Sequence, residues 1–120
     1  MATPKKLSYL DACQVKTQSQ ADAMLAALVA AAMKEAPHLN VGEARAIQRS
    51  NIGYATGYLA DRAQQQLVLK LYQTEHPIFG DYEKEVSPEA ALQAGMIMAQ
   101  AMKETNGDMV AAIKAARESL

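Results

Sequence analysis

The residue best suited to acid–base chemistry in this sequence is His76, in the segment EHPIFG at positions 75–80. A histidine titrates near neutral pH and can serve as a general acid or base. Glu75 precedes it directly, but adjacent residues on an extended chain point to opposite sides, so a Glu75–His76 dyad is geometrically poor. Ile78 and Phe79, the only phenylalanine, are apolar. We therefore predict that this segment anchors a loop to the protein, and we keep His76 and Phe79 as candidate binding residues.

A second candidate segment is SNIGYATGY at positions 50–58. On a helix, five small residues fall on one narrow strip: Ala46, Ser50, Gly53, Gly57 and Ala60. Glycine costs about 1 kcal/mol relative to alanine inside a helix, so Gly53 and Gly57 need a steric reason. Either another backbone or a flat ligand lies against the strip. Close helix packing is the favoured interpretation, and a ligand surface is the alternative.

Polar side-chain groups are expected next to this strip. Tyr54 and Tyr58 share the neighbouring helix face, and Asn51 lies beside them. A buried asparagine without hydrogen-bond partners costs about 1–3 kcal/mol. We predict that Asn51 fixes packing by bonding a backbone group or a tyrosine hydroxyl. The alternative is that Asn51, Tyr54 and Tyr58 present their polar tips to a ligand.

Several classes of chemistry lack their usual patterns. His38 and His76 are far apart and Cys13 is the only cysteine, so the sequence predicts no metal site and no disulfide. Neither a phosphate-binding glycine loop nor a nucleophile elbow is present, so we expect no cofactor and assign no catalytic residue. With 12 basic and 13 acidic residues, nucleic-acid binding is not favoured. If the protein did bind nucleic acid, the binding residues would be Lys5, Lys6 and the helix face that carries Arg45 and Arg49.

Helix signals are frequent along the chain. Half of the residues are apolar, mostly alanine with seven methionines, and alanine is the best helix former. Helices are predicted to start at four capping residues, of which the third precedes a proline: Ser19, Asn40, Ser87 and Asp108. A short helix is expected within 7–17 and a loop over 74–86. A helix from 41 to about 59 precedes a further one capped by Asp61, and whether 41–73 is one rod or two stays open.

These elements predict an all-α fold, a compact bundle of five to six helices, with residues 1–6 as a flexible tail and 7–120 as a single domain. Leu92, Met96, Ala99 and Met102 are expected to face the core from the helix after Ser87, and Met109, Ala112, Ile113 and Ala116 from the last helix. Met96 and Met98 lie on opposite sides of their helix, so this helix is either central to the bundle or shared with a partner. Together with the small-residue strip, this favours a homodimer.

The segments NIGYATGY and HPIFG together resemble small helical proteins of phage and prophage genomes. The resemblance spans Asn51 to Gly80 and implies a setting without an assigned activity. It implies that eight residues matter together: Asn51, Gly53, Tyr54, Gly57, Tyr58, His76, Pro77 and Gly80.

Our leading hypothesis is a non-enzymatic interaction protein, regulatory or structural, that self-associates or binds a protein partner. No signal peptide or span is recognised, since the apolar stretch 21–33 is too short to cross a bilayer. We therefore expect no membrane partner and a cytoplasmic location in a bacterium or a phage-infected cell. The alternative is a small-ligand site, or a modest enzyme, between the Tyr54/Tyr58 face and the His76 loop.

Overall fold

The computed structural model describes residues 7–119, which contain six α-helices and one 3₁₀ turn joined by turns and loops. The helices are α1 (Tyr9–Ala12), α2 (Gln18–Glu35), α3 (Val41–Ala55), α4 (Arg62–Tyr72), α5 (Pro88–Glu104) and α6 (Met109–Glu118), and the 3₁₀ turn is Thr56–Tyr58. These residues contain no β-strand, only an isolated bridge between His76 and Gly80. The predicted all-α bundle is confirmed, and the predicted tail at 1–6 lies outside the described residues.

Capping side chains set most helix starts as predicted. Asn40 and Glu43 form a reciprocal capping box at α3, while Ser87 and Asp108 cap α5 and α6. The predicted start at Ser19 is wrong, because Thr17 caps α2 in a capping box with Gln20. Gln20, at the third helical position, reaches back with its side chain to accept the backbone N–H of Thr17.

The segment 41–73 forms two helices. α3 ends at Ala55, four residues earlier than predicted, and Leu59 after the 3₁₀ turn is extended. Asp61 then caps α4 by accepting the backbone N–H groups of Ala63 and Gln64. The buried Gln65 side chain donates to the backbone oxygens of Thr56 and Leu59 at 2.8 and 2.7 Å, which holds the break between the helices in place.

Two clusters form the core. The first cluster contains residues of all four helices from α1 through α4 and includes Cys13, Ile52 and Val68. Cys13 is fully buried, and burial raises its pKa to about 12, so its thiol is protonated and unreactive at neutral pH. The second cluster joins the end of α3 to α5 and α6, with Tyr54 and Met98 among the buried members.

The predicted inward stripe of α5 is wrong for Leu92, Met96 and Ala99, whereas Met102 packs against the second core cluster as predicted. The buried side of this helix consists of Ala91, Ala94, Met98 and Ala101. Leu92 is 50% exposed and Met96 is 65% exposed, Ala99 is exposed, and Met102 is half-buried. The reason is close backbone packing, because a Cβ atom on Gly95 would lie 2.5 Å from the carbonyl oxygen of Gly57. The buried side of α5 allows this approach because three of its four buried residues are alanines, and the larger Leu92 and Met96 point away. In α6, Ala112 and Ala116 are buried and Met109 and Ile113 half-buried, as predicted.

Candidate functional site

Asn51 makes a structural bond. Its Nδ2 donates to the hydroxyl of Tyr9 at 2.9 Å, and that hydroxyl donates to Oε1 of Gln48 at 2.8 Å. This chain of hydrogen bonds ties α3 to α1. A bond to a tyrosine hydroxyl is what the packing interpretation of Asn51 requires.

The two glycines of the small-residue strip face other parts of the protein, Gly53 a backbone group and Gly57 a side chain. A Cβ on Gly53 would collide with the backbone carbonyl oxygen of Glu75, and Gly57 packs against Met98 of α5. The strip is not the continuous helical surface that the sequence predicts, because α3 ends before Gly57 and Ala60. Its other members, Ala46, Ser50 and Ala60, are exposed.

His76 is fully buried at the base of the 74–86 loop. Its Nδ1 accepts the backbone N–H groups of Ile78 and Phe79 at 3.1 and 3.3 Å, so the hydrogen-bond network places the ring proton on Nε2. That Nε2 has no hydrogen-bond partner among the described residues. Burial, together with the positive charge of Arg62, lowers the pKa of His76 to about 4. The imidazole is therefore neutral at physiological pH, and its lone pair is already used.

The Phe79 ring packs against the side chains of both His76 and Arg62. Its ring centroid lies 4.7 Å from that of His76 and 5.6 Å from the guanidinium carbon of Arg62. Arg62 also donates from Nη2 to the backbone oxygen of Lys84 at 2.6 Å. Arg62 therefore fastens the loop at two points. This role of Arg62 was not predictable from sequence, since an arginine in the first turn of a helix is ordinarily exposed.

A polar cavity of about 690 Å³ opens between α3, the loop and α6. Two of the predicted site residues, Tyr54 and His76, lie on its wall, and neither Asn51 nor Tyr58 does. The Tyr54 hydroxyl is 2.9 Å from that of Tyr58. Burial raises the pKa of the Tyr54 hydroxyl, and the hydrogen bond with Tyr58 raises it further, so the phenol stays protonated. Four charged residues also line the cavity, and none of them was predicted as a site residue: Arg49, Glu75, Asp81 and Arg117.

A second candidate surface is the exposed face of α5. It is formed by Glu89, Leu92, Gln93, Met96, Ala99, Gln100 and Lys103, all of them exposed, and we call it the α5 face. Five residues of this face, together with the half-buried Ile97, line a shallow groove of about 380 Å³. Its centre is apolar, and charged residues occur at its two ends. Large exposed apolar side chains that lie together mark interaction sites more often than isolated ones do.

The lone pair of His76 is occupied by the backbone N–H groups of Ile78 and Phe79, so this side chain is not free to accept a proton from a ligand. Within residues 7–119, no group of three or more histidine, cysteine or carboxylate side chains is placed to hold a metal ion. The same residues contain no helix with the length and apolarity that crossing a bilayer requires. Comparison with known proteins gives no match to a protein family, a curated protein or a solved structure.

Proposed function

We propose that this protein is a non-enzymatic interaction protein that pairs with a second copy of itself through the α5 face. The observation behind the proposal is the exposure of Leu92 and Met96 on a helix whose opposite side is already packed. Burying such side chains is worth about 1.5–3 kcal/mol each when it is complete. A partner helix that covers Leu92 and Met96 would therefore gain this free energy, which favours association.

The spacing along the α5 face is that of a helix-pairing seam. Glu89, Leu92, Met96, Ala99 and Lys103 follow one another in alternating steps of three and four residues. This is the repeat by which two helices pack side by side with interlocking side chains. From sequence, Leu92, Met96 and Ala99 of this repeat were predicted to face the core of one chain. We assign the repeat to the contact between two chains.

Charge complementarity selects a second copy as the partner. Glu89 and Lys103 lie at equal distances along the chain on either side of Met96. In an antiparallel pair with its two-fold axis at Met96, Glu89 of each copy lies opposite Lys103 of the other, and no like charges meet. A symmetric interface needs such self-complementarity, because the same patch serves both partners. A parallel pair would instead place Glu89 against Glu89.

The wider setting follows the resemblance of NIGYATGY and HPIFG to phage-encoded helical proteins. We propose that the dimer acts in the cytoplasm of a bacterium or a phage-infected cell, as a regulatory or structural component. The fixed loop and the hydrogen-bonded Asn51 support a structural role for the residues of this resemblance. The polar cavity is the observation that favours an additional ligand-binding activity.

Substituting Met96→Glu is expected to abolish self-association, because the substitution brings two carboxylates together at the two-fold axis. Light scattering coupled to gel filtration measures the outcome as a mass. The wild type should approach twice the chain mass of 12.9 kDa with increasing concentration, and the variant should stay at 12.9 kDa. A series that reaches roughly 1 mM detects association as weak as about −4 kcal/mol.

Val110→Glu is the matched control, since Val110 is 80% exposed on α6 and lies outside the α5 face. This variant should dimerise like the wild type. A wild type that stays monomeric over the whole series, or a Val110→Glu variant that dissociates as Met96→Glu does, contradicts the proposal.

A further inference from the structure

We infer that the polar cavity between α3, the 74–86 loop and α6 binds a small zwitterion, a molecule with a free carboxylate and a free ammonium group, such as an amino acid or a dipeptide. This inference is independent of dimerisation, because the cavity lining and the α5 face share no residue.

The first argument is that none of the charged groups of the cavity is in an ion pair, although Oδ1 of Asp81 accepts the backbone N–H of Glu83 at 2.9 Å. Arg49 and Arg117 line the same cavity as Glu75 and Asp81. Nevertheless, no ion pair within 4.0 Å joins any of these four side chains to another described residue. Opposite charges that surround one space without touching are complementary to a ligand that bridges them.

The second argument is the orientation of the guanidinium groups. Nε of Arg117 donates to the backbone oxygen of Pro77 at 2.7 Å, which fixes the plane of its guanidinium and leaves the terminal N–H groups free. The guanidinium of Arg49 makes no hydrogen bond within the described part of the chain. The α3 backbone beneath it is held, because Thr74 donates from Oγ1 to the Arg49 carbonyl oxygen at 2.9 Å. Planar N–H groups of this kind bind a carboxylate through two parallel hydrogen bonds.

The third argument is the charge balance. Two guanidinium groups and two carboxylates line the cavity, and His76 adds no charge because it is neutral. A polyanion such as a nucleotide phosphate chain would meet Glu75 and Asp81 and be repelled. A zwitterion instead places its carboxylate on the arginines and its ammonium group on the acidic side chains. Tyr54 and Ile113 supply apolar wall for the rest of the molecule.

The size of the cavity agrees with this class. Ligand pockets measure about 300–1,000 Å³, and the 690 Å³ here lie within that range. An amino acid occupies part of this volume and a dipeptide more of it. We therefore use L-phenylalanine and the dipeptide phenylalanyl-leucine as probes.

Binding of both probes to the full chain is measured by calorimetry and by ¹H–¹⁵N spectra that include the arginine side-chain signals. We expect at least one probe to bind and to shift the signals of Arg49 and Arg117. Blocking the amine by acetylation or the carboxylate by amidation should weaken that probe about tenfold or more, because each blocked form loses one charge-assisted contact. Arg49→Ala should weaken the unblocked probe by a similar factor and should leave the affinity of the amidated form unchanged.

Arg45→Ala is the matched control, since Arg45 lies one turn earlier on α3, is exposed and does not line the cavity. It should bind like the wild type. The inference is overturned if neither probe binds up to roughly 10 mM, if inorganic phosphate or acetate binds as tightly as the zwitterions, or if Arg45→Ala has the same effect as Arg49→Ala. Both variants remove exposed or half-buried surface side chains, and their far-ultraviolet circular dichroism should match that of the wild type.

Discussion

Replacing Gly95 with alanine is expected to lower the free energy of unfolding by about 2 kcal/mol. The added Cβ atom would lie 2.5 Å from the carbonyl oxygen of Gly57, a distance that forces α5 away from the 3₁₀ turn. Overpacking of this kind costs about 1–3 kcal/mol, and the upper end applies because the obstacle is backbone and cannot rotate aside. The better helix propensity of alanine returns about 1 kcal/mol. Urea unfolding followed by circular dichroism measures the difference.

Gly42→Ala is the matched control for this substitution. Gly42 lies in the first turn of α3, and a Cβ there would be 3.3 Å from Oδ1 of Asn40, a side-chain atom that can move. We expect its stability to stay within about 1 kcal/mol of the wild type. A Gly95→Ala variant as stable as the wild type would show that α5 does not approach the 3₁₀ turn as closely as described.

Acidification from pH 7 to pH 4 is expected to remove roughly 3 kcal/mol of stability through His76 alone. The pKa of this buried histidine is lowered from 6.5 to about 4, first by burial and then by the charge of Arg62. Between these two values the unfolded chain binds a proton that the folded chain excludes, so stability falls as the pH falls. Below about pH 4 both states are protonated and this contribution stops changing.

The variant His76→Asn isolates this contribution from the titration of carboxylates. An asparagine oxygen can accept the N–H groups of Ile78 and Phe79 as Nδ1 does now, but it does not titrate. We expect the variant to be less stable than the wild type at pH 7 and to lose roughly 3 kcal/mol less on going to pH 4. Urea unfolding at both pH values gives the two differences. Parallel losses in the two proteins would mean that His76 is not buried in its neutral form.

Local chemistry made the helices predictable. Asn40, Ser87 and Asp108 cap their helices through side-chain oxygens that accept backbone N–H groups a few residues ahead, and this is encoded within four residues of sequence. The break at Asp61 follows the same rule. Thr17 was missed because Ser19 offers the same chemistry two residues later, and only the longer reach of Gln20 distinguishes them.

The orientation of α5 could not be predicted from its own pattern. Leu92, Met96 and Ala99 form a regular apolar stripe, and such a stripe ordinarily faces the core. Here the core side is set by a contact distant in sequence, in which Gly95 lies against Gly57. The sequence showed that Gly57 needed a close neighbour, but it did not show that the neighbour is another glycine.

Only part of the cavity lining was predictable, because contacts between residues distant in sequence also form this site. Tyr54 and His76 were singled out by residue type, and both lie on its wall. Arg49 was noted only as part of a basic face, and Arg117 lies on the last helix, far away in sequence. The fold brings them together through the loop, whose position depends on Phe79 packing against Arg62 and His76. Rules based on neighbouring residues in sequence do not predict such a contact between separate elements.

The pairing of α5 with a second copy is tested most directly by disulfide formation in the variant Met96→Cys. If Met96 lies at the two-fold axis, the two introduced thiols face each other and mild oxidation yields a covalent dimer. The wild type is an internal control, since Cys13 is fully buried and its pKa is raised to about 12. Val110→Cys, at an 80% exposed position on α6, measures random collision. We predict that Met96→Cys cross-links much faster than Val110→Cys, and equal rates in the two variants would contradict the proposed dimer.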